Sequence, residues 1–182
     1  MNFIKTAIDG VIIIEPRVFP DSRGCFFESW NKKVFENAGL FYDFVQDNQS
    51  ESCYGTIRGL HFQRGEHAQA KLVRVISGSV LDVAVDLRPN SPTFGQHVAV
   101  ELSEKNRRQL LIPRGFAHGF SVLSEKAIFA YKCDNGYCKD AEGGLLYNDP
   151  ALGIDWNVPA EKALLSDKDK INPPLKDFVQ CF

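Results

Sequence analysis

The chain has 182 residues, 44% hydrophobic and 24% charged, which is enough for one substantial core and too little for a second domain of useful size. A formal charge of -2, with 21 Lys and Arg against 23 Asp and Glu, gives no broad field for nucleic acid or an anionic membrane, so any anion must be held by a local cluster. The opening MNFIKTAIDG lacks a basic stretch followed by an apolar run, and no apolar segment approaches the roughly 18 residues of a spanning helix; the expectation is one cytoplasmic domain over residues 1–182.

In chain order, GVIIIEPRVF is the first run with strand character. SWNKKVFENAG follows as the one persuasive early helix, with Ser29 expected to cap its first turn, Gly39 to follow its last, and Val34 and Phe35 to face inward. KLVRVISGSVLDVAVDLR alternates on both sides of Ser77-Gly78-Ser79, which predicts a hairpin. HVAVELS, RRQLLIP, AIFAYKC and GGLLYND are further strand candidates, separated by Gly, Pro, Asn or Asp at short intervals. A short helix is expected near Pro159 to Leu164, and a loose tail after Lys170, where INPPLKDF carries adjacent prolines. Many short strands with few helices predict an all-β sandwich or barrel. The cysteines, at 25, 53, 133, 138 and 181, are odd in number and lack CxxC spacing, so free thiols are expected rather than disulfides or a zinc site.

Two segments stand apart from strand-and-turn chemistry. TIRGLHFQ places His61 between apolar neighbours, where it could be a core histidine, half of a metal site or a base. LLIPRGFAHGFSVL carries Pro113, Gly115 and His118 in the spacing Pro-x-Gly-x-x-His, which resembles the second motif of cupins, although the same residues also make plain turns. A metal-binding cupin would need a second histidine and a carboxylate on the earlier strands. Here those places hold Gln63 and Lys71, and a lysine in the same cavity would repel a divalent ion, so no metal is expected.

DSRGCFFESW, FVQDNQSES, IRGLHFQ, QAKLVRVISGSVLDVAVDLRPNSPTFG, LLIPRGFAHGF, YKCDNGY and LLSDKD together, in this order from about Asp21 to Asp169, resemble the dTDP-4-dehydrorhamnose 3,5-epimerases. The resemblance implies a cupin-type jelly-roll barrel with a few short peripheral helices, and no metal or organic cofactor. It implies a nucleotide-sugar substrate, dTDP-4-dehydro-6-deoxy-D-glucose, whose C4 ketone acidifies the hydrogens at C3 and C5. It further implies His61 as the base, Asp169 as the carboxylate that orients it, Tyr131 as the acid for the opposite face and Lys71 as the cation for the C4 oxygen. A base and an acid on opposite sides are what inversion of a carbon requires.

Arg23 and Arg58 resemble the family's pyrophosphate and sugar contacts, and Tyr137 its thymine-stacking tyrosine; Glu28, Gln46, Asp47, Asn48, His118, Glu142 and Lys168 match other substrate-contacting positions. The family also implies a homodimer with exchanged strands, in which Arg23 and Glu28 reach the partner's site. One departure is Gly136, which stands where many members have a first tyrosine before the one matching Tyr137. The alternatives to the double epimerase are an enzyme inverting only C3 or only C5, a non-catalytic nucleotide-sugar-binding barrel, and a metal-dependent cupin oxygenase.

Overall fold

A computed structural model describes all 182 residues. Thirteen strands form: β1 (Asn2–Lys5), β2 (Ile12–Glu15), β3 (Val18–Asp21), β4 (Gly24–Phe27), β5 (Gln46–Cys53), β6 (Ile57–Gln63), β7 (Lys71–Ser77), β8 (Ser79–Asp86), β9 (His97–Ser103), β10 (Gln109–Ile112), β11 (Phe116–Val122), β12 (Lys126–Cys133) and β13 (Glu142–Gly144). One sheet runs β1-β2-β10-β7-β12-β5 and a second runs β13-β6-β11-β8-β9, while β3 and β4 form a separate hairpin. Every named pairing is antiparallel. The two larger sheets face each other as the all-β jelly roll of the cupin type.

Alternation along the strands sorts side chains into layers. On β8, Val80 and Ala84 belong to the inner core with Val73, Leu110, Phe116, Phe120 and Phe129, whereas Leu81, Val83 and Val85 join an outer cluster with Leu60, Phe62 and Trp156. A third cluster, on the outer face of the other sheet, gathers Ile14, Leu72 and Leu111 beneath Phe35. The inner core fills one part of the space between the sheets and leaves the other to polar side chains.

Several local expectations are corrected. The Lys71–Arg88 segment is not a hairpin: β7 pairs with β10 and β12, β8 with β9 and β11, so the chain crosses between sheets at Ser77-Gly78-Ser79. Gly78 makes that corner at φ +83°, where an added Cβ would stand 2.1 Å from the Lys126 carbonyl oxygen. Alternating runs on either side of a glycine look the same whether the chain turns back or changes sheet. The helix, α1 (Lys32–Asn37), is capped by Asn31, whose side chain accepts from the Val34 amide, and not by Ser29; Phe35 is buried and Val34 only partly so.

GGLLYND contributes strand only at its glycines, since Leu145 turns inward and the chain then leaves the sheet. The expected helix near Pro159 is a single 3-10 turn, Ala160–Lys162. The tail is not loose: Leu175, Phe178 and Phe182 pack on the outer cluster, and Phe62 meets Phe178 and Phe182 at 5.8 and 5.5 Å between ring centroids.

Candidate active site

The cavity between the sheets, about 440 Å³, is walled on one side by β7 and β12 and on the other by β6 and β11, with residues 164–169 across its mouth. One wall presents Lys71, Phe129 and Tyr131; the other presents Arg58, His61, His118 and Phe120.

Local backbone geometry explains how Arg58 and His61, three residues apart on one strand, both reach the same side. Regular alternation would send them to opposite faces. In the pairing of β6 with β11, His61 opposes His118 while Arg58 opposes Phe120, so β6 spends three steps where β11 spends two. The extra residue is absorbed at Gly59-Leu60 as a bulge, after which Leu60 and Phe62 point to the outer cluster and His61 points in. Gly59 adopts φ +139°, and its Cα side lies so close to the neighbouring strand that a Cβ would stand 2.5 Å from the Gly119 Cα. The glycines at 59 and 119 therefore allow two backbones to approach where the strand changes register.

His61 Nε2 lies 2.5 Å from Asp169 Oδ1, a carboxylate that is 3% exposed. Burial alone would raise the Asp169 carboxyl, but the His61 hydrogen bond and charge, with help from Ser166 and the Gly59 amide, hold it below the usual carboxylate range. An ionised Asp169 accepts the Nε2 proton, which leaves Nδ1 with a free lone pair. Arg58 Nε donates to Ser52 Oγ at 3.1 Å, steadying the guanidinium beside the histidine.

Across the cavity, burial pushes the Tyr131 phenol above its ordinary value, an effect the Cys133 thiol adds to and Arg58 partly offsets. The phenol therefore keeps its proton, and no group of the chain is hydrogen-bonded to it. Lys71 stands 5.9 Å from the Tyr131 ring centroid. Burial lowers its ammonium below the ordinary lysine value, opposed by Cys133, Asp82 and Glu142. His118 is buried and bonded through Nε2 to Asp82 Oδ2 at 3.0 Å; burial lowers its imidazole, and Asp82 opposes that shift.

Of the residues singled out in the sequence, His61, Lys71, Arg58, His118, Tyr131, Lys168 and Asp169 share this cavity. Glu142, Tyr137 and Gln46 form a polar chain beside it: Lys168 pairs with Glu142, the Tyr137 hydroxyl donates to Glu142 at 3.3 Å, and the Tyr137 amide donates to Gln46 Oε1 at 2.9 Å. Burial alone would raise Glu142, but Lys168 outweighs it and holds the carboxyl low. Asn48 donates to the Cys133 sulfur, while Gln46 donates to Asn48 at 3.0 Å.

Asp47 points away from these residues: it accepts from Lys132 Nζ at 2.6 Å and lines a neighbouring groove with Ser29, Trp30 and Arg74. Arg23 and Glu28 do not line the cavity of their own chain. Arg23 is exposed and paired with Asp21 at 2.7 Å, and Glu28 accepts from Asn31 at 3.0 Å. Lining residues that went unread include Gln49, Ser50 and Ser166, and the polar strand QDNQSESC that carries the first two showed no apolar alternation to mark it. Asp82 also went unread, because in SVLDVAVD it looks like the solvent-facing member of a strand; it is fully buried.

A model of the dTDP-4-dehydrorhamnose 3,5-epimerase family matches residues 5–177. The dTDP-4-dehydrorhamnose 3,5-epimerase of Shigella flexneri is 56% identical over 170 residues, 93% of each chain. A crystal structure of dTDP-6-deoxy-D-glucose-3,5-epimerase from Legionella pneumophila, in complex with dTDP-4-keto-L-rhamnose, is 50% identical with a TM-score of 0.94, covering 98% of this chain and 94% of that one. A 3'-monoepimerase from Streptomyces bikiniensis, in complex with dTDP-quinovose, is 32% identical with a TM-score of 0.88, covering 95% of this chain and 87% of that one.

Proposed function

Because the chain belongs to the dTDP-4-dehydrorhamnose 3,5-epimerase family, we infer that it inverts C3 and C5 of dTDP-4-dehydro-6-deoxy-D-glucose to give dTDP-4-dehydro-L-rhamnose. The observation that carries the chemistry is a carboxylate-backed histidine on one wall of the cavity, facing a lysine and an unbonded phenol on the other.

His61 Nδ1 takes the proton from C5 or C3, and the C–H electron pair moves into the ring to make an enolate on the C4 oxygen. The proton on His61 is matched by Asp169, as a buried carboxylate stabilises an imidazolium. The Lys71 ammonium faces the growing charge on the C4 oxygen, and a fixed cation in a water-poor site is worth several kcal/mol there, on the order of 3. Tyr131 then gives its proton to the opposite face of the same carbon and recovers one from solvent, while His61 releases the one it took. Atoms balance and no oxidation state changes, so the reaction calls for no redox cofactor.

Arg58, His118, Lys168, Glu142, Gln46 and Asn48 surround the sugar and diphosphate in this reading, with Tyr137 beside the base. Guanidinium and ammonium groups suit phosphate oxygens. Arg23 and Glu28 are assigned to the partner's substrate in a homodimer, in which the exposed β3–β4 hairpin reaches the partner's cavity, and Asp47 is assigned to a substrate contact from β5. Phe19 and Phe26 on that hairpin are 48% and 68% exposed, which supports its burial against a second chain. No helix is long and apolar enough to cross a membrane, and the substrate, a nucleotide sugar, fits a cytoplasmic enzyme.

The test is proton NMR of the substrate with enzyme in deuterated water. Exchange at both C3 and C5 is expected. Exchange at one carbon only would establish the narrower activity carried by the Streptomyces bikiniensis protein on the same fold. Exchange at neither would reduce the protein to a nucleotide-sugar binder.

A further inference from the structure

Beneath the cavity floor lies a carboxylate that takes no part in these proton transfers. Asp82, on β8, is fully buried. Its Oδ2 receives the His118 Nε2 hydrogen at 3.0 Å, and its Oδ1 is buried with no hydrogen-bond partner at all. A buried carboxylate with an unsatisfied oxygen is costly unless a positive charge nearby answers it. Lys71, which lines the same cavity as the His118 that Asp82 holds, is such a charge: it makes no direct ion pair with Asp82, and the Asp82 charge opposes the lowering of its ammonium by burial. A solvent-facing alternation or a plain core position would have served β8 with Val or Ala, as at Val80 and Ala84 on either side.

We propose that Asp82 is a positioning residue of the epimerase, acting through Lys71 and His118: it supplies the counter-charge that keeps the Lys71 ammonium charged in the cavity and fixes the His118 tautomer. This rests on the assignment of Lys71 as the cation for the C4 oxygen. The titratable and charged groups that share the cavity with Lys71 or bear on its charge are Arg58 and His61 on β6, Asp82 on β8, His118 on β11, Tyr131 and Cys133 on β12, Glu142 on β13, and Lys168 and Asp169 beyond the last strand. Of the carboxylates among them, Glu142 is already engaged by Lys168 and Tyr137, and Asp169 by His61. Asp82 alone has an oxygen to spare. With Nε2–H committed to Asp82, the neutral imidazole of His118, which lines the cavity, is left with Nδ1 as an acceptor instead of a second donor.

Asp82→Asn keeps an oxygen for the His118 hydrogen and removes the charge. The alkaline limb of the pH profile of kcat/KM is expected to move down by about one unit, with kcat/KM about tenfold lower on that limb, because withdrawing a nearby negative charge makes an ammonium easier to deprotonate. Affinity for dTDP should be unchanged. A profile superimposable on that of the unaltered enzyme overturns the proposal, whatever happens to stability.

Should Asp82→Asn fold poorly, a double-mutant cycle on thermal stability reads the same coupling. Lys71→Met leaves Asp82 without an answering charge, so adding Asp82→Asn to it should raise Tm, and a Tm lowered equally in both backgrounds sinks the idea. A different failure would be diagnostic of the mechanism itself: Lys71→Met retaining full turnover removes Lys71 from the chemistry, independently of how Asp82 behaves.

Discussion

Replacing His61 by asparagine removes the imidazole that Asp169 backs at 2.5 Å and leaves Arg58 and Lys168, the proposed phosphate contacts, in place. Deuterium exchange at C3 and C5 is therefore expected to fall by about three orders of magnitude or more, as for loss of a carboxylate-oriented histidine elsewhere, with dTDP affinity by calorimetry little changed. Tyr131→Phe is expected to separate the two halves of the proposed reaction. The base still works, so exchange at the carbon next to the ketone persists while inversion slows; an unaltered epimerisation rate takes Tyr131 out of the mechanism. Most of these residues were readable beforehand through the family resemblance of blocks such as IRGLHFQ and LLSDKD. Spacing alone left His61 open among core, metal and base, because its partner comes 108 positions later and no local pattern announces it. Asp82 was unreadable for the opposite reason, as its local pattern announces solvent and its neighbours across the barrel contradict it.

At the level of elements, the bulge in β6 decides which face Arg58 and His61 share. Gly59→Ala would press a Cβ into the Gly119 backbone at a φ that side chains rarely accept, costing about 3 kcal/mol between strain and overpacking. Urea unfolding should show the loss, and activity should fall further than stability predicts, since relief of the clash moves Arg58 or His61 off the cavity. A second element is the loop from β8 to β9, pinned by Asp86. Burial would raise this carboxyl, but bonds from the Arg88 side chain and amide, Ser91 Oγ at 2.6 Å and Thr93 Oγ1 at 2.6 Å bring it down to about 2. A depressed folded-state value means stability that is present above the ordinary value of 3.8 and lost as pH falls through about 2. The contribution is about 2 kcal/mol, and Asp86→Asn should flatten the acid limb of stability against pH between those values.

Strand existence was legible from alternation for β7 to β10 and β12 but not for the polar β5, and strand partnership was not legible at all. Gly78 permits a hairpin or a sheet change equally, and only the packing of Val73 and Val80 into one core from two sheets selects the second.

Across the whole molecule, the last strand ends at Gly144, and the chain beyond it is irregular, wrapped on the outer cluster and across the cavity mouth. Adjacent prolines suggested slack there because they forbid regular structure, yet they cannot say whether the chain is anchored. Its anchors are aromatic: Phe178 and Phe182 against Phe62, with Asp149 Oδ2 accepting the Leu175 amide at 2.6 Å. Phe178→Ala should lower Tm and cost about 2 kcal/mol, less than a fully buried phenylalanine would, because this one is partly exposed. Synthesis runs from the first residue to the last, so every strand of the barrel leaves the ribosome before Asp169 does. A nascent chain thus carries its walls, Lys71 and Tyr131 while His61 still lacks Asp169, and under the proposed mechanism turnover waits until the stretch beyond Gly144 has been made and folded back.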